Sequence, residues 1–149
     1  MRPSNPGLKL TYDDFVHFPD DGKRHELIDG EHYVTPSSRP RHQIILGNLY
    51  LLIASWLEDH PIGRVFYAPS DVVFSEHDVV VPDLLYLSNE RAAQVLTVTN
   101  VKGAPDLVIE IASPSTRQRD ETINGICASA PAWPSTGLWI PTSIAFAST

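Results

Sequence analysis

Residues 105–112 read Pro105-Asp106-Leu107-Val108-Ile109-Glu110-Ile111-Ala112, and residues 79–87 read Val79-Val80-Val81-Pro82-Asp83-Leu84-Leu85-Tyr86-Leu87. Both runs are too short for a helix and rich in branched side chains, so both predict strands. The run 106–112 is apolar on both faces, which predicts a central strand. Each run carries an acid where a purely structural strand would have another Val or Leu. A buried carboxylate loses its hydration and is costly unless it is paired or binds a metal. Asp83 and Glu110 are therefore the leading candidates for function. If their strands are neighbours, the two carboxylates converge on one face of the sheet. Two hard oxygen ligands there suit Mg²⁺ or Mn²⁺, ions that take few protein ligands and keep several waters. The competing reading makes each acid a strand-end residue facing solvent.

Outward from these strands the order is mixed. Thr11-Tyr12-Asp13-Asp14-Phe15-Val16-His17 predicts the start of a short capped helix. His25 to Val34 predicts a hairpin turning at Asp29-Gly30. From Arg41 to Asp59, apolar residues at Ile45, Leu49, Leu52, Ile53 and Trp56 mark one face of a helix, which Pro61 and Gly63 end. Arg64 to Ser75 predicts a strand and Glu90 to Leu96 a short helix. A hairpin, a helix and then several strands predict a mixed α+β (α/β) fold rather than a regular βαβ repeat.

Composition bounds the function. A chain of 149 residues, 42% apolar and 19% charged, predicts one soluble domain. The net charge of −7 disfavours bare electrostatic binding of nucleic acid, although a bound divalent ion adds local positive charge. The single cysteine, Cys127, excludes an intramolecular disulfide. No apolar run approaches the roughly 18 residues that span a bilayer. The expected location is the cytoplasm, with no membrane partner.

Three further residues stand near this chemistry. Glu26 is either a third acid or an exposed hairpin residue. His42 opens the long helix and reads as a cap or surface residue. Asp106 begins its strand and reads as structural. The arginines Arg39, Arg41, Arg117 and Arg119 read as solvated surface, with a local substrate-binding patch as the alternative.

These stretches resemble the Uma-two family of restriction-endonuclease-like proteins, within the PD-(D/E)xK nuclease superfamily. The matching segments are Glu26-Leu27-Ile28-Asp29-Gly30-Glu31, Pro40-Arg41-His42-Gln43, Val81-Pro82-Asp83-Leu84 and Pro105 to Thr116, followed by Arg119-Asp120. The resemblance implies a restriction-endonuclease-like mixed β-sheet flanked by helices, hydrolysing phosphodiester bonds in DNA. It implies Asp83, Glu110 and Glu26 as catalytic acids, with Asp83, Glu110 and Ile111 as the metal set for Mg²⁺ or Mn²⁺. It also allows a homodimer, since related folds pair to cut both strands. The alternative is a nuclease fold kept as a non-catalytic binding or structural module.

The superfamily's lysine commonly stands two residues after the second acid, where this chain has Ala112. In proteins of this kind it comes instead from the next helix, at a position that Asn124 fills here. All 29 charged residues (11 Lys and Arg, 18 Asp and Glu) lie in 1–121, and none lies in 122–149. At the earlier density that tail would carry about seven charges. A neighbouring reading frame permits a charged, amphipathic and then strand-like ending, with a lysine at the position of Asn124. The sequence thus predicts an endonuclease-like domain over 1–121 and an aberrant, poorly ordered tail over 122–149. The family's C-terminal helix and strand are replaced or missing, and the lysine is lost with them.

Overall fold

The computed structural model describes residues 7–112 and 138–141 of the 149. Among the described residues, three helices and nine strands make a mixed α+β fold: α1 (Tyr12–Phe15), β1 (Arg24–Ile28), β2 (Glu31–Thr35), α2 (Pro40–Asp59), β3 (Gly63–Tyr67), β4 (Val72–Val73), β5 (Val79–Val80), β6 (Leu84–Ser88), α3 (Asn89–Val95), β7 (Val101–Lys102), β8 (Leu107–Ala112) and β9 (Leu138–Pro141). The strands divide between two sheets, with orders β2-β1-β5-β4-β7 and β3-β6-β8-β9.

The division arises inside one of the runs that fix the fold. Val79 to Leu87 reads as a single strand, yet β5 pairs with β1 and β4 while β6 pairs with β3 and β8. Pro82 lies at the break. It has no N–H to give to a ladder, so continuous pairing fails there. Asp83 consequently sits in the bend between the sheets rather than within a strand. The run from Arg64 divides similarly, with β3 in one sheet and β4 in the other.

The hairpin forms as its sequence predicts. Arg24 pairs with Thr35 and Ile28 with Glu31, and both turn residues have positive φ, 51° at Asp29 and 74° at Gly30. That is the primed turn that an Asp-Gly pair favours. A Cβ at Gly30 would come within 2.6 Å of the Lys9 side chain, so the turn needs glycine for space as well. Thr11 and Asp14 form the capping box of α1.

Alternation along β1 sets the site. Ile28 joins the main core with Val72, Val80, Leu85, Leu87, Val95, Val101 and Val108. Leu27 points the opposite way, into a second cluster with Val73 and Val79 that is covered by Tyr12, Phe15 and Phe18. Side chains two apart on a strand share a face, so Arg24, Glu26 and Ile28 all face the side of the main core. On β8 the same rule aligns Glu110 with Val108.

The long helix begins one residue before the expected start, and its buried side is rotated from the expected stripe. Leu57 is buried, whereas Leu52 and Trp56 are exposed. The Trp56 ring stacks on His60 one turn later, with centroids 4.0 Å apart. Among the described residues, no helix is long and apolar enough to cross a membrane.

Candidate functional site

Four elements meet at one buried cluster of charge. β6 and β8 are antiparallel neighbours, with Leu84 opposite Ile109, so the residues just beyond, Asp83 and Glu110, lie side by side. β1 contributes Arg24 and Glu26, and the first turn of α2 contributes His42. Asp83 is 1% exposed, Glu110 4% and Glu26 0%. The surface readings of Asp83, Glu110 and Glu26 are thereby excluded.

The Asp83 carboxylate is the hub. Its Oδ1 accepts from Arg24 Nη2 at 2.5 Å, and its Oδ2 accepts from the Ile111 N–H at 2.8 Å. His42 Nε2 lies 3.1 Å from the same Oδ2. An ionised carboxylate only accepts, so His42 carries a proton on Nε2 in this contact. His42 Nδ1 is buried with no hydrogen-bond partner among the described residues. Burial pushes the Asp83 carboxyl up, but His42, Arg24 and the Ile111 N–H together outweigh it and hold the group well below the usual carboxylate range.

Arg24 bridges the two acids. Its Nη1 lies 3.8 Å from Glu110 Oε2 while Nη2 holds Asp83. Burial disfavours its charge, yet the fields of Asp83, Glu110 and Glu26 prevail and raise its pKa. Glu26 acts on the backbone as well, since its Oε1 accepts from the Val81 N–H at 2.9 Å. That bond pins the chain just before the Pro82-Asp83 bend and so positions Asp83. Asp106 is structural as expected, accepting from the Ser88 N–H at 2.7 Å at the start of α3.

The structure brings Asp83, Glu110 and Glu26 into one buried cluster, and adds Arg24 and His42. Ile111 enters through its main-chain N–H, which supports Asp83, and its side chain is buried in the core. His42 is drawn inward because α2 starts beside the Asp83 bend, which its sequence position alone does not disclose. Arg24 had one legible signal: it stands two residues before Glu26 on the same strand face.

The donors suit a hard divalent cation in chemistry, since carboxylate oxygens predominate and three acids face one guanidinium. In this geometry Arg24 takes the place between Asp83 and Glu110. Among the described residues, no three His, Cys, Asp or Glu side chains form a group that could hold a metal ion. Asn124, Cys127, Arg117, Arg119 and most of the uncharged tail lie outside the described residues. From the tail, Leu138–Pro141 forms β9, parallel to β8, with Trp139 opposite Glu110 in register.

A solved structure from Anabaena variabilis ATCC 29413, described as "a putative nuclease belonging to DUF820", is similar over 89% of this chain and 74% of that one, with 25% identity and a TM-score of 0.69. None of the curated proteins compared matches the chain. The model of one family, Uma2, described as "Putative restriction endonuclease", matches residues 12–131 and takes in all five residues of the cluster. With that match spanning most of its length, the chain belongs to the Uma2 family of nuclease-fold proteins.

Proposed function

We propose that this chain derives from a metal-dependent DNA endonuclease and is impaired in catalysis. The observation that carries this reading is the convergence of two buried carboxyl groups, Asp83 and Glu110, at adjacent strands. Asp83 and Glu110, with Ile111 beside them, would hold Mg²⁺ or Mn²⁺, and Glu26 completes the acidic set. When bound, such an ion activates water and steadies charge on a phosphoryl group. The chain's own residues orient that centre: Glu26 fixes the bend through Val81, while His42 and the Ile111 N–H fix the Asp83 carboxylate.

The impairment rests on Asn124. A lysine in that role stabilises developing charge or positions the attacking water, and an uncharged amide supplies no such field. Nicking of supercoiled plasmid with Mg²⁺ or Mn²⁺ at micromolar protein tests the reading. The expected result is weak or absent cleavage. Robust cleavage abolished by Asp83→Ala overturns the impairment. The coding DNA across codons 118–130 tests its origin: codons that cannot encode the charged alternative ending exclude a frame shift.

A second reading, a non-catalytic nuclease-fold module, draws on Arg24, which already neutralises part of the acidic cluster. Calorimetry separates the two. Metal binding lost in Glu110→Ala supports the nuclease lineage, and no binding at millimolar metal favours the module.

A further inference from the structure

Arg24 occupies the place between two carboxylates where a bridging cation would sit. One guanidinium nitrogen holds Asp83 and the other faces Glu110. Its side chain is 14% exposed, so the charge is largely withdrawn from water. Arg24 is also the first residue of β1, directly after the exposed turn at Asp20 to Lys23. A long side chain at such a boundary can swing outward without dismantling the strand.

We propose that Arg24 is a built-in counter-cation of the Asp83–Glu110 pair, which a divalent metal must displace in order to bind. The proposal rests on the reading of Asp83 and Glu110 as a metal pair and adds how entry to that pair is controlled. With Arg24 in place, Asp83 is engaged on both oxygens, by Arg24 on one and by His42 and Ile111 on the other. A metal that takes Oδ1 first breaks a charge-assisted hydrogen bond. It returns two positive charges for one, which better offsets three buried acids. The site is thus partly neutralised by Arg24 and weak in metal affinity, with metal and guanidinium excluding each other.

The test is a Mn²⁺ titration of the full chain, read by calorimetry and by the paramagnetic signal of free Mn²⁺, with melting followed in parallel. Loss of one charge-assisted hydrogen bond from the competition makes Arg24→Gln bind Mn²⁺ roughly 10- to 100-fold more tightly than the parent. Arg24→Gln should also melt lower than the parent in chelator and gain more from Mn²⁺, because a ligand specific to the folded state stabilises by mass action. Arg24→Lys keeps a charge but loses the fork that spans both acids, so its affinity should fall between the two; it serves if the Gln variant does not fold. Adding Glu110→Gln to either variant should abolish binding.

Equal or weaker binding in the Arg24 variants, with binding still lost in Glu110→Gln, overturns the role of Arg24 and leaves the metal pair standing. No binding in the parent or any variant overturns both. Tight binding by the parent with Arg24 intact also defeats the proposal.

Discussion

Replacing Asp83 by Ala removes three partnerships at once and leaves their other halves in place. Arg24 loses its closest carboxylate and keeps a buried charge facing Glu110 at 3.8 Å and the field of Glu26, and the Ile111 N–H loses its acceptor. Breaking a buried ion pair by removing one partner costs about 3–5 kcal/mol. An orphaned buried amide costs about 1–3 kcal/mol. The two share a carboxylate and do not simply add, so the expected loss lies near 4–5 kcal/mol as an order of magnitude. For a chain of this length each kcal/mol moves the melting temperature by roughly 2–4 °C, which gives a fall of about 8–20 °C.

Asp83→Asn should cost less than Asp83→Ala, because its amide oxygen can still accept from the Ile111 N–H, although its NH₂ then faces the Arg24 guanidinium donor against donor. The double variant Arg24→Met/Asp83→Leu should cost less than the sum of its two single changes, since both halves of the closest ion pair go together, although Glu110 and Glu26 lose the guanidinium's field. Urea unfolding followed by circular dichroism measures all three. An Asp83→Ala variant within about 1 kcal/mol of the parent, or Arg24 and Asp83 effects that simply add, refutes the account of the hub. The outcome also governs nicking experiments: activity lost in Asp83→Ala is evidence about chemistry only where the variant is still folded at the assay temperature.

Other perturbations have distinct expected outcomes. Glu26→Ala strands the Val81 N–H and should lower stability by about 1–3 kcal/mol beyond the cavity it leaves, whereas Glu26→Gln retains an acceptor; chemical denaturation of the two should differ accordingly. Gly63→Ala places a methyl 2.3 Å from the Leu87 carbonyl oxygen, and overpacking of this kind costs about 1–3 kcal/mol, read as faster amide exchange along β3 and β6. Asp83 should also make the fold acid-labile. Its folded carboxyl titrates below the ordinary aspartate value of 3.8, so the unfolded chain takes up the proton first. The stabilisation is complete above that value and drains away as pH falls below it. Urea midpoints measured from pH 6 down to pH 3 should fall more steeply for the parent than for Asp83→Ala, and parallel slopes would contradict the assignment.

The acids were legible in the sequence because charge inside an apolar run is conspicuous. Asp83 and Glu110 interrupt stretches that otherwise read as buried strand, and burial of both follows. What the runs did not disclose is where one strand ends and another begins. Val79 to Leu87 satisfies strand propensity throughout, and only the missing N–H of Pro82 marks the transfer from one sheet to the other. Glu26 stayed ambiguous for a related reason: alternation assigns it to a face of β1 but not which face meets the core. His42 was hidden because a helix's first turn is exposed or buried according to what it abuts, a tertiary fact. Leu52 and Trp56 illustrate the converse, since α2 carries apolar residues around more of its circumference than a single stripe and periodicity alone cannot choose among them.

The energetic character of the cluster bears on why such residues persist together. A buried ion pair is seldom worth more than apolar residues of the same volume, because desolvation consumes most of the Coulomb attraction. Here the balance is poorer than in a simple pair, with three carboxylates gathered around one guanidinium, and Glu26 and the Ile111 N–H committed to holding the bend that presents Asp83. Leu or Val at positions 83 and 110 would close the core at lower cost. A centre that uses backbone hydrogen bonds to aim a carboxylate, and that collects three acids where apolar packing would serve, is organised for a cation or a reacting group rather than for stability. That argument does not depend on what stands at position 124, because Asp83, Glu110, Glu26, Arg24 and His42 all precede the point where the charged sequence stops.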